Sequence, residues 1–389
     1  MEKVVIGMSG GVDSSVAAYL LKQQGYEVVG LFMKNWDDAS VTLTSNCTWE
    51  DDLLFAEMVS KKLGIPLHMV DLSDEYRKRV VEYMFAEYEK GRTPNPDVLC
   101  NREIKFDIFI DECLKLGADY VATGHYCRKE TIDVNGKETY RLLAGKDPNK
   151  DQSYFLCQLT QEQISKALFP IGELLKPEVR EIAEREGLAT ATRKDSQGIC
   201  FVGKVDLPTF LQQKLTAKKG DIIEIPESYY EGRNSSDDLE EISKAFKYRR
   251  EDGNVIAGHR GAHFYTIGQR KGLNIGGTGK PMYVIAIDVE ENIVFVGRGD
   301  DHPGLYRKAL FISNGESHWV RTDLKTEAED SKDFLIRIRY RQPLQKGTLI
   351  SKPKGLYIKF DKPQRGIAPG QFAAWYDRDE LIGSGVIAS

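Results

Sequence analysis

The apolar run Val4 to Met8 meets a glycine-rich turn, Ser9-Gly10-Gly11-Val12-Asp13-Ser14-Ser15, and passes straight into a helical pattern from Ser14 to Gln24. Val16, Tyr19 and Leu20 share one face of that helix and Gly25 stops it, after which Val28 to Met33 is again strand-like. This βαβ unit constrains the fold more than any other feature. Its strands must run parallel, and a parallel sheet must be covered on both faces. The alternation continues through a helix from Trp49 to Leu63, a strand from Leu67 to Asp71, helices near Asp74 to Glu89 and Glu103 to Leu116, and a strand from Tyr120 to Thr123. The expected fold class is α/β, a doubly wound parallel sheet of Rossmann-like type.

After that unit the pattern changes twice. Two extended runs between Cys127 and Gly145 flank Asn135-Gly136, a strong hairpin signal. Thr160 to Leu168 and Pro177 to Glu186 then read as helices, so the middle segment is mainly helical. Beyond about Lys218 the period becomes two, in Met282–Val289, Ile293–Gly297, Ala309–Ser313, Phe334–Arg341, Leu356–Phe360 and Phe372–Tyr376. C-terminal β-barrel-like domains are expected there. The polar, charge-rich stretch Tyr229 to Arg250 reads as an exposed insertion or a partly mobile loop. The expected boundaries are a catalytic domain over 1–160, a central helical linker over 161–217, a small β domain over 218–310 and a C-terminal barrel over 311–389.

A chain of 389 residues with 41% hydrophobic and 29% charged residues is an ordinary globular protein of several domains. It carries no apolar run of the roughly 20 residues that span a bilayer. Its first residues lack the pattern of a secretory signal, so a cytoplasmic location without membrane association is expected. The net charge of -5 gives nucleic acid no general attraction. Binding to a polyanion must therefore use local basic patches, such as the alternation of Arg337, Arg339 and Arg341 with Ile336, Ile338 and Tyr340. Those arginines read equally well as solvated residues outside a barrel.

The turn Ser9 to Ser15 places backbone N–H groups and a helix N-terminus at the carboxyl edge of the sheet, where an anion can bind. Glycines let the backbone approach phosphate and serines add hydroxyl donors. A glycine turn with Ser14 or Asp13 as helix cap is the plainer alternative. No Lys-Ser/Thr follows the glycines, so this is not a Walker A loop, and in Gly277-Thr278-Gly279-Lys280 the hydroxyl position is taken by Pro281.

Six cysteines form no CxxC pair, which argues against a disulfide framework and a zinc ribbon. Cys100 follows Arg92-Thr93-Pro94-Asn95-Pro96-Asp97, whose prolines hold the chain extended, and falls just ahead of the expected helix beside Arg102 and Lys105. A helix N-terminus and nearby cations favour a thiolate. Asp97 has the chemistry of a general acid or base. Cys200, in Asp195-Ser196-Gln197-Gly198-Ile199-Cys200-Phe201, is a loop cysteine flanked by polar residues. Each could instead be a small packed hydrophobe.

The strings GMSGGVDSS, GLFMKNW, GRTPNPDVLCN, GADYVATGHY, NKDQSYFL, DSQGICF, YTIGQRKGL and PGQ together resemble those of the bacterial tRNA-specific 2-thiouridylases, in the PP-loop ATP pyrophosphatase superfamily. The resemblance runs from Gly7 to about Gln371. It implies that Gly7, Met8, Ser9, Gly10, Gly11, Val12, Asp13 and Ser14, with Met33 and Gly124, bind ATP accompanied by Mg2+. It implies Cys100 as nucleophile, Cys200 as persulfide carrier, and Asn95, Pro96 and Asp97 against a flipped base. It further implies tRNA contacts at Lys150, Asp151, Gln152, Tyr306, Arg307 and Gln342, and a role in tRNA binding for His125. The implied partners are the tRNA anticodon stem-loop, modified at the wobble uridine, and a persulfide donor, either a cysteine desulfurase or a sulfur relay protein. The alternatives are another PP-loop ligase or thiolase and a non-catalytic nucleotide- and RNA-binding redox module. Asp97, Cys100 and Cys200 also leave an iron-sulfur cluster conceivable.

Overall fold

The computed structural model describes residues 1–36, 48–195, 207–212, 214–232, 236, 238–277 and 279–388. Cys200 and residues 196–206 around it lie outside the described residues, as does Cys47. In chain order the first strands are β1 (Lys3–Gly7), β2 (Glu27–Lys34), β3 (Leu67–Asp71), β4 (Tyr120–Ala122), β5 (Cys127–Val134), β6 (Lys137–Ala144) and β7 (Ala167–Leu168). All but the β5–β6 hairpin build one parallel sheet, ordered β3-β2-β1-β4-β7.

Both faces of that sheet are apolar. Val4, Ile6 and Met8 pack against Val16, Ala17 and Leu21 of helix α1 (Val12–Gln23) and Ala56 and Val59 of helix α2 (Thr48–Leu63). Val5, Leu31 and Met33 face the opposite side, in one cluster with Val98, Cys100, Ile104 and Phe109. Alternating side chains of a strand buried on both faces produce this division.

Several expectations are corrected. The helix expected from Glu103 starts at Pro96, runs to Cys100, and continues through π-helical Asn101–Ile108 into Phe109–Lys115. Asn95 caps it by accepting from the Val98 N–H at 3.2 Å, with proline in the first turn. Cys100 therefore lies inside a helix rather than ahead of one. The helix expected over Thr160–Leu168 ends at Lys166, because Ala167 turns extended and pairs with Val121 of β4 as β7.

The hairpin turn has Asn135 at φ 57° and Gly136 at φ 80°, the geometry the Asn-Gly pair favours. The hairpin leaves the parallel sheet. Leu142 and Leu143 of β6 pair with Leu381 and Glu380 near the far end of the chain.

The remaining strands are β8 (Gly220–Glu224), β9 (Asn254–His259), β10 (Met282–Asp288), β11 (Ile293–Arg298), β12 (Tyr306–Ser313), β13 (Ser317–Trp319), β14 (Ser331–Arg337), β15 (Gln345–Lys352), β16 (Gly355–Arg365), β17 (Phe372–Asp377) and β18 (Glu380–Val386). Strands β10-β11-β8-β9 form a small mixed sheet. An antiparallel sheet runs β12-β16-β15-β14-β17-β18-β6-β5, with β13 on β18. Leu310, Ile336, Ile358, Trp375 and Ile382 fill its core.

Two surface expectations also change. β14 stops at Arg337, because the Gln342 side chain accepts from the Ile338 N–H at 3.0 Å and turns the chain. Arg337 is bonded to Asp151 and Arg339 to the Gly366 carbonyl, so the three arginines do not form one free cationic face. In the stretch Tyr229–Arg250, Tyr229, Tyr230 and Tyr248 pack with Ile223, Phe295 and Leu305, and a helix at Leu239–Ser243 carries a buried Ser243. That part is packed rather than an exposed insertion. Among the described residues no helix is long and apolar enough to cross a membrane.

His125, His259, His263, His302 and His318 all have their pKa lowered, in each case chiefly by burial. The folded protein thus refuses protons that the unfolded chain accepts below about pH 6.5, so this part of the stability is lost as pH falls through that value. Urea unfolding should show a lower midpoint at about pH 5.5 than at about pH 7.5. An equal or higher midpoint at the lower pH would contradict the burial of these rings.

Candidate active site

Strand order places a topological switch point between β1 and β4, since the chain leaves β1 toward β2 and β3 and returns on the other side as β4. Ligands of open α/β sheets bind in the crevice at such a point, beyond the carboxyl ends of the strands. The turn after β1 and the segment after β4 meet there. A Cβ on Gly124 would lie 2.8 Å from the Ser14 nitrogen, so only glycine allows this approach. Gly10 adopts φ +69° and passes so close to the Asp52 carbonyl that a Cβ would lie 2.2 Å from its oxygen. A Cβ on Gly7 would lie 3.8 Å from Met33 Cε. Gly7 to Ser14, Met33 and Gly124 are thus brought together.

Within the turn, Ser14 Oγ accepts from the Ser9 N–H at 3.2 Å and lies 3.1 Å from Ser9 Oγ. Asp13 accepts from Tyr126 Oη and Lys176 Nζ, both at 2.7 Å. Lys176 also reaches Asp195 at 2.9 Å, where Lys150 and Arg180 converge at 2.6 and 2.7 Å. Burial alone would raise the Asp195 pKa, but hydrogen bonds from Lys150 and Lys176 outweigh it and hold the carboxyl at about 2. Arg193 donates to the Gly10 carbonyl at 2.7 Å and pairs with Asp52, whose pKa burial nonetheless raises. Sequence reasoning missed Asp52, Tyr126, Lys176, Arg180 and Arg193. Tyr126 was within reach, since it directly follows Gly124-His125.

Cys100 is fully buried. Ahead of its helix, the Thr93–Asn95 loop is clamped by the turn before β17. Thr93 N–H donates to the Pro369 carbonyl at 2.8 Å, and Gln371 Nε2 donates to the Thr93 and Pro94 carbonyls at 3.0 and 3.1 Å. Asn95 Nδ2 donates to Gln371 Oε1 at 3.4 Å. Half-buried Asp97 offers its carbonyl to Asn101 Nδ2 at 2.9 Å. Cys113, Cys127 and Cys157 are buried, with thiol pKa values pushed up by burial, to about 12 for Cys157. They have the character of packed hydrophobes.

The residues expected at tRNA fall in separate places. Asp151 is buried and accepts from the Gly145 and Ser153 N–H groups and from Arg337. Gln152 exchanges two hydrogen bonds with the Tyr126 backbone, both at 3.0 Å. Tyr154 Oη donates to the Phe372 carbonyl at 2.9 Å. Residues 150–154 are therefore a strut from the glycine turn to the C-terminal sheet. His125 is a neutral buried ring, 2.7 Å from Thr123 Oγ1 and packed beside Phe106 and Phe169.

A second group lies at the paired ends of β12 and β16. Gln342 donates to Gln364 at 2.9 Å, and Tyr306 Oη to the Asp300 carbonyl at 2.8 Å. Arg307 is buried and donates to the Ser243 and Ile367 carbonyls at 2.8 and 2.9 Å, its pKa lowered to about 10 by burial.

Lys176→Ala should leave Asp13 and Asp195 facing each other without their shared, largely buried cation. We expect a loss of about 2 kcal/mol in unfolding free energy. Urea titration measures it, and an unchanged midpoint would show that the bridge does not hold the turn.

Residues 2–204 match the family described as tRNA methyl transferase HUP domain, 244–298 the tRNA methyl transferase PRC-barrel domain, and 311–387 the aminomethyltransferase beta-barrel domain. The chain is 60% identical to the tRNA-specific 2-thiouridylase MnmA of Christiangramia forsetii over 395 residues, covering 100% of each chain. It is 47% identical to the proteins of the same name from Karelsulcia muelleri, over 100% of this chain and 99% of that one, and Pseudomonas aeruginosa, over 99% and 94%. With a glycine turn at the switch point, a buried cysteine on the helix that follows a clamped loop and this likeness over its whole length, the chain belongs to the tRNA-specific 2-thiouridylase family.

Proposed function

We propose that this protein uses ATP to replace the 2-oxygen of the wobble uridine of tRNA by sulfur. The observation that carries this reading is full-length identity of 60% to a tRNA-specific 2-thiouridylase. The glycine turn at the β1–β4 switch point supports it independently. Uracil O2 attacks the α-phosphorus of ATP, pyrophosphate leaves, and the adenylated oxygen becomes a leaving group. A persulfide on Cys200 supplies the sulfur that bonds to C2 as AMP departs. Cys100 attacks the Cys200 sulfur, breaking the S–S bond, and the resulting Cys100–Cys200 disulfide is reduced by an external thiol. Asp97, in the first turn of the helix that carries Cys100, would exchange a proton with the base.

A triphosphate would lie against the turn from Ser9 to Ser14, whose glycines allow its close packing and whose serines add hydroxyl donors. Among the described residues no group of three His, Cys, Asp or Glu side chains is placed to hold an ion. Magnesium would therefore arrive on the triphosphate, which suits an ion that keeps phosphate and water ligands. Asn95 and Pro96 would bound the base, with Lys150, Gln152, Tyr306 and Gln342 toward the tRNA. The sulfur donor would be a cysteine desulfurase or a relay protein acting on Cys200, in the cytoplasm.

The test is nucleoside mass spectrometry of tRNA incubated with the protein, ATP and a persulfide donor. Sulfur-for-oxygen exchange is expected, with AMP and pyrophosphate formed. A methylated nucleoside would instead favour the activity in the description of the matched domains, and ADP would overturn the adenylation step. Cys200→Ser should neither accept labelled sulfur nor thiolate tRNA, whereas Cys100→Ser should accept sulfur on Cys200 and fail to transfer it. Full activity in either variant would remove that cysteine from the mechanism.

A further inference from the structure

Asn35 stands immediately beyond the carboxyl end of β2 and is 1% exposed, and neither atom of its carboxamide has a hydrogen-bond partner. Among the described residues it is the only buried side chain with both of its polar atoms orphaned. Buried amides are rarely left so, because each unmade bond costs the full desolvation of the group. A buried polar group that lacks partners in the protein is a candidate to find them in a ligand.

Its position says which ligand. Leu31 and Met33 of β2 face the side of the sheet that carries Cys100, whereas Phe32 packs with the α1–α2 layer and Lys34 reaches Asp71 and the Trp49 ring of that layer. Met33, two residues before Asn35, and Trp36, directly after it, both pack in the cluster that holds Cys100, so Asn35 leaves the strand between two residues committed to that side. The Lys34 carbonyl accepts from the Leu72 N–H at 2.8 Å, the last rung of the β2–β3 ladder before Asn35.

A carboxamide presents one donor and one acceptor side by side. Phosphate, an acceptor only, would leave Oδ1 orphaned, and a cation would leave Nδ2 orphaned. An imide satisfies both. We propose that Asn35 is a substrate-positioning residue that pairs with the edge of the target uracil, Nδ2 donating to O4 and Oδ1 accepting from N3–H. This arrangement leaves O2 uncovered for adenylation and rests on the 2-thiouridylase reading given above. Adenine could also satisfy an amide, through N1 and its 6-amino group. Placement on the Cys100 side favours the base that receives sulfur.

The experiment compares full-length wild type with Asn35→Ala and the isosteric Asn35→Asp. Each acts under single turnover on an anticodon stem-loop carrying either uridine or 2-pyrimidinone, which lacks both O4 and the N3 proton. On uridine both variants should lose about 10- to 100-fold in kcat/KM, the range for a two-point base contact. The KM for ATP should stay within about twofold. On 2-pyrimidinone, already slowed in wild type, Asn35→Ala should cause no further loss. Equal losses on both substrates, or a raised KM for ATP, would overturn the proposal, the latter assigning the amide to adenine. So would unchanged kinetics with only a lowered Tm, which would make the amide structural. Failure of wild type to thiolate uridine would instead bring down the 2-thiouridylase reading itself.

Discussion

The Lys176 ammonium, held between Asp13 and Asp195, is the contact on which the organisation of the site depends. Asp13 belongs to the first helical turn after the glycines, and Asp195 lies five positions before Cys200 in sequence. Two carboxylates of separate segments are joined by one cation that is largely out of water, where their attraction is screened least. Arg193 repeats the device on the other side of the turn, between the Gly10 carbonyl and Asp52. The glycine turn is therefore braced by the segment that leads toward Cys200 in sequence.

A second coupling runs through the strut at residues 150–154. Gln152 holds the backbone of Tyr126, whose hydroxyl holds Asp13. One residue on, Ser153 Oγ lies 3.2 Å from Tyr376 Oη, and Tyr154 reaches the Phe372 carbonyl. Arg337 closes the arrangement on Asp151. Nucleotide turn, cysteine loop and C-terminal sheet thus share hydrogen bonds instead of meeting as separate bodies across a wet interface. The paired groups are mostly buried, and each would be costly to leave unmade.

The elements legible in the sequence were those set by local chemistry. Val4 to Ser15 announced strand, turn and helix because apolar alternation, glycine and helical spacing lie within a dozen residues. Asn135-Gly136 announced its turn because both residues tolerate positive φ. The illegible parts were set at long range. Nothing near Leu142 says that its partner is Leu381, and nothing near Ala167 says that β4 needs an edge strand. The early start of the Cys100 helix follows from one side-chain cap at Asn95, which two neighbouring prolines disguised as extended chain. Asp151 and Arg307 read as surface groups because sequence carries charge but not the carbonyls and arginine that satisfy them inside. Asn35 lies within one of the quoted strings, yet its orphaned amide is visible only once burial is known.

The pairing of β6 with β18 has a consequence for the order in which the protein can be built. Arg141 on β6 and Glu380 on β18 are joined across 239 positions, and Gln371 clamps the loop ahead of Cys100 across 278 from Thr93. During synthesis the parallel sheet and the nucleotide turn can form while those distant residues are still untranslated. The cysteine loop cannot be clamped, nor β6 flanked, until they emerge. The glycine turn thus draws its bonds from the first half of the chain, whereas the loop ahead of Cys100 receives its last constraint only from residues made near the end.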